Sequence, residues 1–240
     1  MSSTKQTDAR IACRSEGHAG DHGATALAPD AGHVAPRSAS MAYTVTKRAL
    51  DVAFSLGLLV AFSWLFLIIA ILVKLTSKGP VFYIQRRVGC GGHEFPFVKF
   101  RSMIDGADDL RENLEHRNEA TGPVFKIRDD PRITWLGRIL RKTSLDETPQ
   151  LVNVLVGHMS LVGPRPPIPS EVAKYGERER RRLSVRPGLT CLWQINGRSN
   201  VTFDEWMEMD IQYIESRSLW LDIRILAKTI PAVLTGRGAC

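Results

Sequence analysis

Two adjacent carboxylates, Asp146 and Glu147, stand where a helix is expected to begin. Ser144 and Glu147 have the three-residue spacing of a capping box, so the pattern predicts a helix that starts at Leu145. Asp146 would then lie in its first turn, beside unpaired backbone N–H groups and the positive end of the helix dipole. Such a position favours an ionised carboxylate and can also hold phosphate. Pro149 has no N–H donor, so this first turn should be loosened.

Cations flank this carboxylate pair on both sides along the chain. They are Lys99, Arg101, Arg132, Arg138, Arg141, Lys142 and Arg165. Each cation alone is more often a solvated surface residue, and the acidic pair alone is more often structural. Cations concentrated around one ionised carboxylate, however, resemble a site for a doubly phosphorylated substrate and its divalent metal.

The overall charge also favours an anionic partner. The chain has 240 residues and a formal net charge of +7, with a sequence pI near 9.5. Nucleic acid, anionic lipid and a phosphorylated substrate all satisfy that charge. The alternative to an enzyme is therefore a non-catalytic, membrane-anchored protein that binds lipid or nucleic acid. That alternative needs no Asp146–Glu147 pair, and salt rather than metal would control its binding.

A long apolar segment precedes the candidate site, and residues 52–73 contain no charged side chain. As a helix it would extend about 33 Å, close to the thickness of the hydrocarbon layer of a bilayer. Lys47 and Arg48 precede it, and Lys74 and Lys78 follow it. A simple span should have one basic cytoplasmic flank, so basic residues at both ends favour a re-entrant helix. A true span with a basic outer flank remains the alternative.

The surrounding pattern indicates a mainly α fold with a small β element, an α+β class. Short strands are predicted at 81–85 and 95–100, joined by a glycine turn. Helical patterns recur near 105–118, 135–142, 145–156, 170–184, 203–216 and 219–234. The predicted organisation is a disordered polar tail over residues 1–44, a membrane helix with basic flanks over 45–76, and a cytosolic catalytic domain with interfacial helices over 77–240. Arg178 and the residues 180–182 are interpreted as a helix face that meets anionic lipid.

Longer motifs run through most of the chain. Those before the acidic pair are Lys47-Arg48-x-x-Asp51, Gly79-Pro80-Val81-Phe82-x-x-Gln85-Arg86-Arg87-x-Gly89, Lys99-Phe100-Arg101-Ser102-Met103 and Asp130-Pro131-Arg132-Ile133-Thr134. The acidic pair lies in Ser144-Leu145-Asp146-Glu147-x-Pro149-Gln150-Leu151, and Met159-Ser160-Leu161-Val162-Gly163-Pro164-Arg165-Pro166, Arg186-Pro187-Gly188 and Trp193-Gln194 follow. In this order the motifs resemble the bacterial sugar transferase family of monotopic phosphoglycosyl transferases. The Trp193-Gln194 version resembles the members that initiate exopolysaccharide synthesis.

The resemblance implies a transferase that moves a hexose-1-phosphate from a UDP-sugar to undecaprenyl phosphate through a covalent aspartyl intermediate. It makes Asp146 and Glu147 the catalytic residues, with Asp146 as the nucleophile and also as a ligand of Mg²⁺. The candidate substrate-binding residues are Lys99, Arg101, Arg132, Arg141, Arg165, Arg186 and Arg198. The expected partners are the UDP-sugar, undecaprenyl phosphate and membrane lipid but no nucleic acid, with homodimer formation left open. The expected location is the bacterial inner membrane, with the catalytic domain on the cytoplasmic side.

One position departs from the family pattern within the membrane segment. Family members commonly have Ser-Pro midway through it, where the proline breaks the helix into a re-entrant hairpin. Here Ser63-Trp64 corresponds to that pair. A serine bends a helix by bonding back to a carbonyl, but more weakly than a proline does. The departure therefore bears on the membrane topology and not on the chemistry.

Overall fold

The fold is known from a computed structural model that describes residues 40–197 and 201–235. Most of the predicted tail and the candidate Arg198 lie outside these ranges. The described chain is mostly helical with two small sheets, so the predicted α+β class is confirmed. A bent pair of N-terminal helices precedes a compact region that contains both sheets.

The apolar segment forms two helices, α1 (Met41–Ala61) and α2 (Ser63–Thr76). They meet at Phe62 with a bend of 62°. The Ser63 hydroxyl donates to the Val60 carbonyl across the break (2.9 Å), which is the back-bonding that a serine can use to bend a helix. Within the described ranges, neither helix alone has the length and apolar composition of a membrane span, whereas the bent pair together meets both criteria.

The first sheet is a hairpin of β1 (Phe82–Val88) and β2 (Glu94–Phe100), which pair antiparallel with Phe82 opposite Phe100. It confirms the two predicted strands. The second sheet joins two short strands in parallel, β3 (Ser160–Val162) and β4 (Gly188–Thr190). Three-residue strands carry too little alternation for prediction from sequence, and this pair was missed.

Helices surround the two sheets. They are α3 (Trp135–Lys142), α4 (Gln150–Val156), α5 (Pro169–Val172), α6 (Glu177–Arg180), α7 (Leu192–Asn196), α8 (Phe203–Ser216) and α9 (Leu219–Thr235). The predictions at 135–142 and 203–216 are confirmed. The prediction at 105–118 was wrong, because this stretch is a run of turns that ends in a 3-10 helix, Glu112–Arg117. The predicted helix at 170–184 is interrupted, because Gly176 has extended backbone.

The core lies where β2, α4 and the second sheet meet. Its buried members include Phe95 and Phe97 from β2, Leu151 and Val154 from α4, and Tyr213 from α8. A second apolar cluster joins α2 to the rest of the protein through Ile69, Val73, Phe100, Leu136 and Leu140. The bent helical pair is therefore packed against the domain that contains the acidic pair.

Three charged residues of α1, Lys47, Arg48 and Asp51, fasten this helix to the domain. Lys47 donates to the Asp222 carboxylate on α9 (2.9 Å). Arg48 donates to the carbonyls of Val154 (2.6 Å) and Leu155 (2.8 Å), at the C-terminal end of α4. Buried Asp51 accepts from the backbone N–H of Leu161 on β3 (3.0 Å). Such charge-assisted hydrogen bonds are stronger than neutral ones. The Lys-Arg-x-x-Asp motif thus has a docking role in this structure.

Candidate active site

Asp146 and Glu147 lie in a tight 3-10 turn, Leu145–Glu147, that precedes α4. The predicted capping box was wrong, because the Ser144 side chain makes no capping hydrogen bond and its backbone has a left-handed φ of 57°. The α-helix itself begins at Gln150, directly after Pro149. Since Pro149 has no N–H to continue a helix from Leu145, the acidic pair occupies the turn instead. A left-handed serine directly before it is a local strain of the kind found at functional sites.

Asp146 is buried, with 6% of its surface exposed. Burial and the neighbouring Glu147 charge raise the pKa of Asp146 to about 6, against the opposing pull of Lys99, Arg141 and Arg165. Within the described residues its carboxylate accepts no hydrogen bond from a side chain or backbone N–H, so its oxygens are open to a ligand. At neutral pH this carboxylate is mostly ionised and can act as a nucleophile or a metal ligand.

Glu147 differs from its neighbour in having a fixed cation. Arg165 donates to the Glu147 carboxylate at 3.1 Å. Burial disfavours the charged form of Glu147, but Arg165 and Lys99 outweigh it and hold the pKa of Glu147 below its usual value. Adjacent carboxylates whose pKa values are pushed in opposite directions are typical of catalytic pairs with different roles.

Lys99 and Arg141 approach the pair from β2 and α3. Burial and the charge of Arg141 lower the pKa of Lys99 to about 8, while Asp146 acts in the opposite direction. Arg141 is fixed by a hydrogen bond from its Nε to the Ser102 hydroxyl (2.9 Å). Burial lowers the pKa of Arg141, again with Asp146 opposing. The structure therefore brings three of the predicted substrate-binding cations, Lys99, Arg141 and Arg165, around the acidic pair.

Other predicted contacts are engaged elsewhere. Arg101 donates to the carbonyl and the hydroxyl of Ser77, at the end of α2 (both 2.8 Å). Buried Arg132 forms an ion pair with Asp130 (2.6 Å) and donates to the Ala107 carbonyl (3.1 Å). These two arginines hold the backbone of the domain, so the structure does not bring them to the acidic pair.

Arg186 is also separate from the acidic pair in its electrostatic surroundings. Burial lowers its pKa, and the charged groups that act on it are Arg48 and Asp51 of α1. Arg198 lies outside the described residues. Of the seven predicted cations, Arg186 is thus associated with the docked helix α1 and not with the acidic pair.

Sequence reasoning missed Arg87 of β1 as a member of the site. Burial and the charge of Arg165 lower the pKa of Arg87 to about 10, while Glu147 opposes them. Its Nη1 donates to the Pro166 carbonyl (2.9 Å), next to Arg165. The signal was available, because Arg87 alternates with the exposed Arg86 along a strand whose inner face is covered.

The acceptor groups suit a metal that is shared with a phosphorylated substrate. No group of three or more His, Cys, Asp or Glu side chains within the described ranges could enclose a metal by itself. Two adjacent carboxylates, one of them without hydrogen bonds, fit Mg²⁺, which usually binds through one or two carboxylates plus substrate phosphates. The donor set at Asp146 and Glu147 is therefore compatible with the predicted Mg²⁺.

A buried, unbonded carboxylate beside an ionised one, with cations on several sides, is the type of site that handles phosphorylated substrates. Comparison with known proteins agrees. The family described as "Bacterial sugar transferase" matches residues 42–236. The chain belongs to this family, and the resemblance inferred from its motifs is confirmed.

Individual relatives carry more specific names. The chain is 48% identical to "Galactosyl transferase CpsE" of Streptococcus agalactiae over 82% of its own length and 44% of that protein. It is 42% identical to "Exopolysaccharide production protein ExoY" of Sinorhizobium fredii, over 81% of its own length and 88% of the relative. It is also 42% identical to "Undecaprenyl-phosphate galactose phosphotransferase" of Salmonella typhimurium, covering 80% of this chain and 41% of that protein. The chain thus spans less than half of two of these relatives and most of the third.

Proposed function

We propose that the protein is a phosphoglycosyl transferase that moves a hexose-1-phosphate from a UDP-sugar to undecaprenyl phosphate and thereby initiates exopolysaccharide synthesis. The observation that carries the proposal is the buried Asp146, which accepts no hydrogen bond from the described residues and faces the charges of Lys99, Arg141 and Arg165. The names of the relatives supply the substrate classes, namely undecaprenyl phosphate and UDP-galactose.

The reaction proceeds in two displacements. An ionised Asp146 oxygen attacks the phosphorus nearest the sugar, and the bond from that phosphorus to the UMP oxygen breaks. UMP leaves with the bonding electron pair, and the sugar-phosphoryl group is held as an acyl phosphate on Asp146. An oxygen of undecaprenyl phosphate then attacks the same phosphorus and releases the Asp146 carboxylate. A carboxylate nucleophile divides one difficult transfer into two easier steps.

The cations and Glu147 support these displacements without entering a covalent bond. Lys99, Arg141 and Arg165 bind the phosphates and offset the negative charge that the substrate brings to Asp146. Glu147, ionised through its contact with Arg165, assists in positioning the metal or the acceptor phosphate. Asp146 would hold a Mg²⁺ ion together with the substrate phosphates, and the ion would supply neutralisation of the charge on the leaving phosphate.

The proposal includes a membrane location on the cytoplasmic face of the bacterial inner membrane. The bent pair of α1 and α2 would enter the bilayer and return to the same side. Its support is the 62° bend together with large apolar side chains that stay exposed in the protein, such as Val60, Trp64 and Leu67. Large apolar side chains that are exposed together on a protein surface mark a site of contact with a membrane or with another protein. Trp135 on α3 and Trp220 on α9, also exposed, suit a helix that lies at the interface.

The activity is tested with purified protein, undecaprenyl phosphate, Mg²⁺ and a panel of UDP-sugars, with UMP release as the measurement. We expect release with at least one UDP-hexose that depends on the lipid for multiple turnovers. Asp146→Asn is the matched control, since it keeps the side-chain shape and removes the anionic oxygen. Equal release by wild type and Asp146→Asn would contradict the proposed nucleophile, and no release with any UDP-sugar would contradict the proposed substrate class.

The topology is tested with single cysteines introduced into a variant whose four native cysteines are replaced by serine. The positions are Ser40, before α1, and an exposed position of the domain such as Arg128. In intact cells, an impermeant thiol reagent should label neither position, because both should face the cytoplasm. Permeabilised cells provide the control, in which both positions should react. Labelling of Ser40→Cys alone in intact cells would show that α1 and α2 span the membrane.

A further inference from the structure

The loop Gly163-Pro164-Arg165-Pro166-Pro167 presents Arg165 to Glu147, and it is held almost entirely by its carbonyls. Three of its five residues are prolines and have no N–H to donate. Its last three carbonyls accept in succession: that of Arg165 from Arg182 (2.9 Å), that of Pro166 from Arg87 (2.9 Å) and that of Pro167 from the Val88 N–H (2.8 Å). The position of the Arg165 side chain therefore depends on donors from outside the loop.

Arg182 is the most deeply buried of these donors, with 3% of its surface exposed. Its Nη1 donates to the Tyr175 hydroxyl (2.7 Å), and its Nη2 lies 2.7 Å from a carboxylate oxygen of Asp210, which is itself 1% exposed. The guanidinium also stacks over the Trp206 ring, 4.9 Å from its centroid. The prediction that Arg182 faces lipid was therefore wrong, because the chain turns it inward against α8.

A buried ion pair has little value for stability by itself, since desolvation offsets most of the attraction. A hydrophobic pair would fill the same space, but it would leave the Arg165 carbonyl without a donor. The forked guanidinium meets Asp210, the Tyr175 hydroxyl and that carbonyl at the same time, which a lysine ammonium cannot do in the same geometry. Fixing the loop is thus a role that requires arginine in particular.

We propose that Arg182, held by Asp210, is a positioning residue for the reaction: it fixes the Arg165 backbone and thereby keeps the Arg165 guanidinium on Glu147. The chain of contacts runs from Asp210 through Arg182 to the Arg165 carbonyl, and from the Arg165 side chain to Glu147 at 3.1 Å. Arg182 does not touch the substrate in this proposal. Its effect on the rate rests on the proposed transferase function, but its effect on the loop does not.

The test is Arg182→Lys, which keeps the positive charge opposite Asp210 and loses the forked donors. Arg181→Lys is the matched control, since Arg181 pairs with Glu215 on the surface (2.6 Å) and makes no hydrogen bond to the loop within the described ranges. We expect Arg182→Lys to lower kcat about 10- to 100-fold, the scale of a small misplacement at an active site. The KM for the UDP-sugar should change less than about threefold, and the control should match the wild type.

A double-mutant cycle separates positioning from general fold damage. If Arg182 acts through Arg165, then Arg182→Lys should cost almost nothing in kcat once Arg165→Gln is present. An equal loss in both backgrounds would overturn the proposal, because it would show an effect that does not pass through Arg165. Wild-type kcat for Arg182→Lys would overturn it as well.

Amide hydrogen exchange measures how firmly the loop of residues 163–167 is held, independently of catalysis. The N–H groups of Val88 and Gly188 donate to the carbonyls of Pro167 and Pro164, so their exchange reports whether the loop is held. We expect faster exchange at both positions in Arg182→Lys and unchanged exchange in Arg181→Lys. Unchanged exchange in both variants would refute the positioning role even if the protein proved to act on another substrate. A wild type that releases no UMP would instead count against the proposed function alone.

Discussion

Two buried aspartates of this protein differ in how completely their oxygens are bonded. Asp222 on α9 accepts from the Tyr43 hydroxyl (3.0 Å), the Lys47 ammonium (2.9 Å) and the Tyr213 hydroxyl (2.8 Å). Asp146 is equally buried, yet within the part of the chain that the structure describes it accepts no hydrogen bond. A carboxylate with its acceptor sites filled holds elements together, whereas one that faces cations without bonding them keeps its oxygens for a ligand.

The comparison predicts that removing the charge of Asp146 abolishes the reaction. We expect Asp146→Asn to lower UMP release by about a thousandfold or more, because the attacking oxygen is lost. Wild-type protein given UDP-sugar without lipid should gain the mass of one hexose-phosphate on the peptide that contains Asp146, and the variant should not. Retained UDP-sugar binding by the variant is the control for folding. An adduct that survives in Asp146→Asn would assign the nucleophile elsewhere.

Asp222→Asn is the counterpart of that experiment. Its effect on kcat per folded molecule should be less than about threefold, because Asp222 bonds α1 and α8 and not the acidic pair. A loss as large as that of Asp146→Asn would break the distinction between the two aspartates.

Because the Asp146 carboxylate is free to bind a ligand, the reaction should also depend on a divalent cation. Chelation with EDTA should reduce UMP release by at least about a hundredfold, since the arginines and Lys99 only partly offset the repulsion between Asp146 and a diphosphate. Added Mg²⁺ should restore the rate, whereas the folded state measured by circular dichroism should not change. Full activity after thorough chelation would contradict a metal role for Asp146.

The raised pKa of Asp146 predicts that the rate of UMP release depends on pH. Asp146 must be ionised to attack, and its pKa is about 6, so the first UMP release should rise about tenfold from pH 5 to pH 7. Because the Glu147 charge contributes to that elevated value, Glu147→Gln should move the midpoint to lower pH. The measurement is the burst rate across this pH range. A midpoint unmoved by Glu147→Gln would show that the two carboxylates are not coupled.

The smallest expected effects are on stability, and they have opposite signs. The folded protein raises the pKa of Asp146, so it favours the protonated form and loses stability as pH rises through about 6. At pH 8, Asp146→Asn should therefore raise the Tm by about 3 °C. Asp222→Asn should lower the Tm by about 5 °C, because it breaks a partly buried ion pair with Lys47. Differential scanning calorimetry of both variants at pH 5 and pH 8 shows whether each substitution raises or lowers the Tm.

Much of this fold could be predicted because its signals are local. The long apolar segment, the charged helix at 203–216 and the two hairpin strands all have a clear period or length. The acidic pair could be singled out from its type and its cationic neighbours. The geometry at Ser144 could not, because the capping-box spacing is the same whether the serine accepts a hydrogen bond or takes a left-handed backbone.

The cations were harder to assign than the carboxylates. Lys99, Arg101 and Arg132 look alike in sequence, but only Lys99 points its charge toward Asp146, while the other two bind Ser77 and Asp130. Arg182 appeared to be part of a surface run of arginines, and its burial depends on Asp210, which is distant along the chain. Contacts between distant segments decide these roles, and no local pattern records them.

Because Arg48 binds the end of α4, this short helix separates α1 from the acidic turn by a fixed distance. Arg48 belongs to α1 and binds the last turn of α4, while the acidic turn precedes the other end. Seven helical residues extend about 10 Å. If α1 enters the bilayer as proposed, its depth fixes the height of Asp146 relative to the lipid headgroups. The helix α4 would then set the distance between Asp146 and the phosphate of the lipid acceptor at the membrane surface. Bilayer thickness would therefore affect the rate of transfer by changing that distance.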